Sequence, residues 1–198
     1  MYGLDKKTDN NVVEVKKNKY KNPAGEFSSF CFEWLESVVQ AIILVVFLMT
    51  FVFRYMSVVG DSMRETLHDG DKLIVSRWNY TPNNGDIIAI SRGQQVNKPI
   101  IKRVIATEGQ TLSIDFSTGT VIVDGSIVDE SYISEPMITR GDAEIPTVIP
   151  EGYTFVMGDN RNHSADSRYK EVGLIDNKNI IGKAVFRIFP FSKLGKIS

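Results

Sequence analysis

The run VVQAIILVVFLMTFVF, from Val38 to Phe53, constrains this chain more than any other stretch. Only Gln40 and Thr50 among its 16 residues are polar. A bilayer-spanning helix needs about 17–25 such residues. Phe30, Phe32, Trp34 and Leu35 extend the apolar character backward, and tryptophan is at home at a membrane interface. A core helix of a soluble protein would normally keep a polar face, which this run lacks. A cleavable leader would call for a short charged start and a small-x-small site after the run. Here a long polar segment precedes it and RYMSVVG follows. The pattern predicts an uncleaved membrane-anchor helix over residues 26–55. A polar, lysine-rich tail over 1–25 is expected to have no packed core of its own.

The flanking charges orient the anchor. Lys6, Lys7, Lys16, Lys17, Lys19 and Lys21 precede it, whereas Arg54 and Arg64 are the nearest basic residues after it. The positive-inside rule then keeps the N-terminus cytoplasmic and puts residues 56–198 outside the membrane. That outer part holds 16 of the 23 basic and 18 of the 24 acidic residues. A nucleic-acid binder would concentrate basic charge on its folded part, so no nucleic-acid partner is expected. The only cysteine, Cys31, precedes the apolar run. The outer part therefore can form no disulfide and has no cysteine ligand for zinc. Cys31 reads as a helix-face residue, with palmitoylation as the alternative.

Beyond Gly60, short β-branched runs alternate with turn residues: Lys72–Trp78, Asp86–Ile90, Ile100–Thr107, Thr120–Glu130, Tyr153–Asp159 and Ile180–Phe189. Asp124–Gly125 between two alternating runs is a two-residue hairpin signal. No long stretch after the anchor shows helical periodicity. These features predict an all-β fold, with a smaller inserted hairpin region over 109–150.

Ser62, in VVGDSMRETLHDGD, is a candidate nucleophile, and a serine hydroxyl needs a base. The chain has two histidines, His68 in LHDGD and His163 in GDNRNHSADSR. Neither setting distinguishes a base from a solvated loop residue. Lys102, in IIKRVIA, is the unusual residue. Strand alternation puts Ile100, Lys102, Val104 and Ala106 on one half-buried face. Desolvation there would push its amine toward the neutral form, at about 3 kcal/mol for a value near 8. A lysine snorkelling to the surface is the competing reading.

The combination of SMRETL from Ser62, KRVIATEGQ from Lys102 and GDNRNHSADSR from Gly158, after an N-terminal anchor, resembles the bacterial type I signal peptidases. These are membrane-bound serine proteases with a Ser–Lys dyad, and the resemblance runs from the anchor to about Phe189. It implies that Ser62 is the nucleophile and Lys102 the general base. Ser164 would hydrogen-bond and orient the lysine amine. Asp159, Arg161, Asp166 and Arg168 would brace the site, and the backbone at Gly158 would approach the lysine closely. The resemblance also puts Met63 near the first substrate pocket. The oxyanion would be held by the backbone N–H of Ser62, without the hydroxyl some members carry two residues earlier, since Gly60 stands there. Glu65 replaces the family's proline in the first motif, and Glu108–Gln110 replaces Pro-Gly-Asp in the second; both changes touch turn rigidity.

The expected activity is cleavage of N-terminal signal peptides from secreted preproteins after small-x-small sites. No metal or cofactor is expected. Preprotein signal peptides, the lipid bilayer and the secretion translocon are the expected partners. Fewer than ten residues separate Phe53 from Ser62, which keeps the serine within roughly 30 Å of the bilayer. The alternatives are a non-catalytic or dedicated-substrate relative acting in surface-protein or pilus assembly, a self-cleaving Ser–Lys repressor, and a histidine-based hydrolase.

Overall fold

The structure, a computed structural model, describes residues 23–91 and 99–197. The six lysines used to orient the anchor, and the polar tail up to residue 22, lie outside the described residues. The chain divides into two units, 1–44 and 45–198.

Helix α1, Pro23–Phe51, begins in the first unit. Its segment Phe30–Phe51 spans 22 residues at a mean hydropathy of 2.1. Its large apolar side chains, Trp34, Ile43 and Phe47 among them, are exposed, and so is Cys31. The helix is long and apolar enough to cross a membrane. It ends four residues before the expected boundary at 55. Val52 still donates its N–H to the carbonyl of Leu48, but from Phe53 onward the backbone pairs with a strand instead. Apolar Phe53 and Met56 prolong the hydrophobic run, and hydropathy alone does not separate helix from strand there.

Among the described residues the second unit carries eleven strands: β1 Phe53–Ser57, β2 Lys72–Ser76, β3 Ile87–Ile90, β4 Ile100–Thr107, β5 Leu112–Asp115, β6 Thr120–Val123, β7 Ser126–Ile127, β8 Tyr153–Met157, β9 Ile175–Asp176, β10 Ile180–Phe189 and β11 Gly195–Lys196. The main sheet has the order β1-β2-β10-β3-β4-β8-β9, with β11 on β10, and every pairing is antiparallel. Within 109–150 lies a second sheet, β5-β6-β7. Its tight turn is Asp124–Gly125, whose φ values of 49° and 75° fit the two-residue connection with positive φ at both positions.

Burial explains where the strands sit. β2 and β6 alternate, burying Leu73 and Val75, and Val121 and Val123. β4 does not: six consecutive residues, Ile101 to Ala106, are buried. The half-buried strand expected there is thus covered on both faces. Ile101 joins a cluster with Met63, Leu67 and Leu73, Val104 joins one with Ile88 and Val156, and Ile105 packs on Leu112, Val121 and Phe155 of the small-sheet core. Lys102 therefore sits on a strand buried along its middle, and its amine cannot reach bulk water by snorkelling.

Candidate active site

Ser62 lies in a turn hooked onto the core from both ends. The N–H of Val58 donates to Asp71 O at 2.9 Å, and Gly70 returns a bond to Val58 O at 3.0 Å. Past the serine, Leu67 N–H closes a helical-type turn on Met63 O at 2.8 Å. Met63 and Leu67, four apart on that turn, point into the core together. Met63 is 1 % exposed and its side chain packs beneath the turn with Val58, Leu67 and Leu73. Burying it contributes roughly 1.5–3 kcal/mol and sets the height of Ser62.

Lys102, on β4, is 3 % exposed and its Nζ donates to Ser62 Oγ at 2.6 Å. Burial pushes the amine down from the ordinary 10.5 to about 8, against the carboxylates of Asp166 and Asp159, which pull it up. Burial wins because each carboxylate is already neutralised by a guanidinium. Asp159 is fully buried and accepts Arg103 Nε at 2.9 Å and Nη2 at 2.8 Å. Asp166, equally buried, accepts Arg168 Nε and Nη2, each at 2.8 Å. Two-point Arg–carboxylate pairs are strong and directional. They fix the loop while leaving little net negative charge to hold a proton on Lys102.

The same loop ties the motif residues together. Arg161 donates Nε to Gly158 O at 3.1 Å and pairs with Glu130. Arg168 Nη2 donates to Arg161 O at 2.6 Å, and Gly158 N–H donates to Asp166 Oδ2 at 3.0 Å. A Cβ at Gly158 would collide with the Ser164 hydroxyl and with the carbonyl oxygen of Ser62, so this position tolerates glycine alone. Ser164, the orienter suggested by resemblance, is brought to the site but does not bond the lysine here. Its Oγ is buried without a hydrogen-bond partner among the described residues. Among the described residues the hydroxyl hydrogen-bonded to the amine is that of Ser62, and the Ser164 Oγ lies against the bare α-carbon of Gly158.

Several residues of the site escaped the sequence reading. Arg103 is one; an arginine inside an aliphatic strand implies a buried partner, but not which. Its guanidinium also stacks on Tyr132, 3.9 Å from the ring centre. Thr66 donates its hydroxyl to Asp159 Oδ2 at 2.5 Å. Glu130 and Tyr132 come from the segment after β7, so the 109–150 region supplies partners to the loop that carries Arg161. Asn160 bonds the backbone on both sides of Ser62. Neither histidine bonds the serine among the described residues: His68 Nδ1 is buried without a partner, and His163 is exposed.

The departures from the family pattern have local compensations. Glu65 has φ of 78°, which a proline ring cannot adopt. Glu108 accepts the N–H of Gly152 at 2.7 Å, a bond unavailable to proline.

Beside the turn, a cavity of about 610 Å³ is lined by Tyr55, Met56, Ser57 and Val59 on one side and Pro99 and Ile100 on the other. β1 ends the sheet order, so its outer edge is unpaired among the described strands. An amine poised to accept a proton, a hydroxyl in contact with it and an open strand edge form an arrangement suited to acyl transfer on an extended peptide.

Residues 31–189 match the family described as signal peptidase, peptidase S26. The signal peptidase I of Bacillus licheniformis is 37% identical over 178 residues, covering 83% of this chain and 92% of the relative. The probable signal peptidase I-1 of Synechocystis sp. is 38% identical over 179 residues, covering 85% and 87%. The inactive signal peptidase IA of Staphylococcus aureus is 37% identical over 169 residues, covering 81% and 93%. A mostly-β unit behind one apolar helix, with the three motifs converging on Ser62, thus accompanies a match over most of the sequence: the chain belongs to the signal peptidase family, peptidase S26.

Proposed function

We propose that this protein is a membrane-anchored serine endopeptidase that removes N-terminal signal peptides from secreted preproteins after small-x-small sites. In this reading Ser62 is the nucleophile and Lys102 the general base. The observation that carries it is the 2.6 Å contact between a buried amine and the serine hydroxyl. At pH 7.5 an amine with a pKa near 8 is neutral in roughly a quarter of molecules, against roughly one in a thousand for an ordinary lysine.

The neutral amine takes the Ser62 proton as Oγ attacks the scissile carbonyl carbon. The intermediate collapses, and Lys102 returns that proton to the departing amine of the mature protein. Water, deprotonated by the same lysine, then hydrolyses the acyl-enzyme ester. Once Ser62 is acylated the amine loses its hydroxyl partner, and Ser164, whose Oγ is unpaired, is the group to take its place. Substrate lies extended along the free edge of β1, facing Pro99 and Ile100. Helix α1 anchors the enzyme with its N-terminus cytoplasmic, and tethering raises the effective concentration of membrane-emergent substrate. The secretion translocon is the natural neighbour in that position.

A second reading, a non-catalytic or dedicated-substrate relative in surface-protein or pilus assembly, is favoured by one observation: a relative of similar identity is named as inactive. Incubating purified protein in detergent with a preprotein separates the two. Cleavage at the small-x-small site should be lost in Ser62→Ala and Lys102→Ala and kept in His163→Ala. A wild type that leaves the preprotein intact supports the second reading, and loss in His163→Ala alone supports a histidine-based enzyme.

A further inference from the structure

We infer that Asn160 is a positioning residue that aims the oxyanion-binding N–H of Ser62, deepening the acyl-transfer reading above and resting on it. The residue holds both peptide groups that flank the nucleophile. Its side-chain Nδ2 donates to the carbonyl of Asp61 at 3.1 Å, and its backbone N–H donates to the carbonyl of Ser62 at 3.0 Å. The Asp61–Ser62 peptide is planar, with its N–H directed opposite to its C=O. Fixing the carbonyl therefore fixes the line along which the Ser62 N–H points. That N–H donates to no acceptor among the described residues, so it is free for the negative oxygen that develops when Ser62 attacks.

Three features make Asn160 suited to this task. Its neighbours Asp159 and Arg161 are fully buried and locked by Arg103 and Glu130, so its own backbone cannot drift. Gly60 offers no hydroxyl as a second donor, and its N–H is already used by Asp69 Oδ1 at 2.8 Å. The aim of the Ser62 N–H then matters more than in a site with two donors. The carbonyl of Asp61 also accepts Arg64 N–H at 3.0 Å, so removal of the Asn160 amide loosens the peptide without freeing it. Loss of an entire oxyanion donor lowers turnover by about 10²–10³-fold, and a misaimed one should fall short of that.

Steady-state cleavage of a peptide spanning a small-x-small site, in detergent, tests the inference with Asn160→Ala, Asn160→Asp and Asn160→Gln. Asn160→Ala should lower kcat by roughly 10–100-fold, leave KM within about twofold, keep the rising limb of the pH profile centred near 8 and melt like the wild type. Asn160→Asp preserves volume but turns an acceptor toward the Asp61 carbonyl, so it should lose at least as much. Asn160→Gln, which keeps an amide donor, should recover part of the loss. Should Asn160→Ala lose its melting transition, the comparison of Asp with Gln decides. A cleaving wild type that still needs Ser62 while Asn160→Ala turns over normally, a loss confined to KM, or an Asp variant milder than Ala overturns the inference alone. A wild type that does not cleave overturns the acyl-transfer reading, and this inference with it.

Discussion

Replacing Lys102 by methionine should make the protein more stable at neutral pH while abolishing cleavage. The amine is 3 % exposed and is displaced from 10.5 to about 8 by burial. Each tenfold change in proton affinity is about 1.4 kcal/mol, so keeping the charged form inside the fold costs about 3 kcal/mol. Below pH 8 native and unfolded chains both carry the proton, and the native state bears that whole cost. Between pH 8 and 10.5 the unfolded chain binds more protons than the native one, so wild-type stability rises with pH across that window. Methionine has a similar length and no charge to bury. It removes the partner of Ser62 Oγ, a loss of about 1 kcal/mol for a hydroxyl that solvent can still reach in part. Lys102→Met should therefore be about 2 kcal/mol more stable than wild type at pH 7. That advantage should fade through pH 8–10.5 and be gone above it. Denaturant unfolding in detergent at pH 7, 9 and 11 reads the difference directly. A variant less stable than wild type at pH 7, or a gap that does not narrow as pH rises, would refute the buried-charge reasoning.

Asp166→Asn removes a carboxylate that raises the lysine pKa and leaves the opposing Arg168 charge in place. The rising limb of the pH–rate profile, set by deprotonation of Lys102, should move acidward by roughly 1–2 pH units, with a stability loss of about 3–5 kcal/mol from the unpaired buried guanidinium; an alkaline movement contradicts the assigned electrostatics. Gly158→Ala forces a methyl against Ser164 Oγ and the Ser62 carbonyl. It should destabilise by about 1–3 kcal/mol and lower kcat by about 10² through displacement of Ser62, measured by melting and peptide cleavage. At Glu65, held at φ of 78°, glycine should stabilise by about 1 kcal/mol. Proline, the residue of the family pattern, should destabilise by more than about 1 kcal/mol; thermal melting of the pair checks both signs.

What was legible in the sequence depended on whether a signal was local. β4 and β10 fall on the predicted residues because each is a long β-branched run bounded by polar or turn residues. β1 was hidden because its apolar residues continue the anchor run, and β9 and β11, two residues each, have no period to detect. They exist through their partners. At the site, Ser62 and Lys102 were legible as motif positions, yet the bond joining them spans 40 residues of chain. Residue types at the site could be anticipated better than their pairings. Arg103 finds Asp159 across 56 residues, and Tyr132 reaches that guanidinium from the small-sheet segment. The lysine's burial on both faces of β4, the core position of Met63 and the unpaired Ser164 hydroxyl all depend on which elements pack together. Alternation within one strand carries no information on that.

The most direct measurement is the titration of the Lys102 amine itself, by NMR of protein labelled at the lysine side-chain carbon next to nitrogen, assigned by its disappearance in Lys102→Met. A midpoint near 8, well separated from the other lysines, is the expected result. A Lys102 resonance that titrates with the rest near 10.5 would mean that the amine stays charged at neutral pH, and Ser62 would have no base.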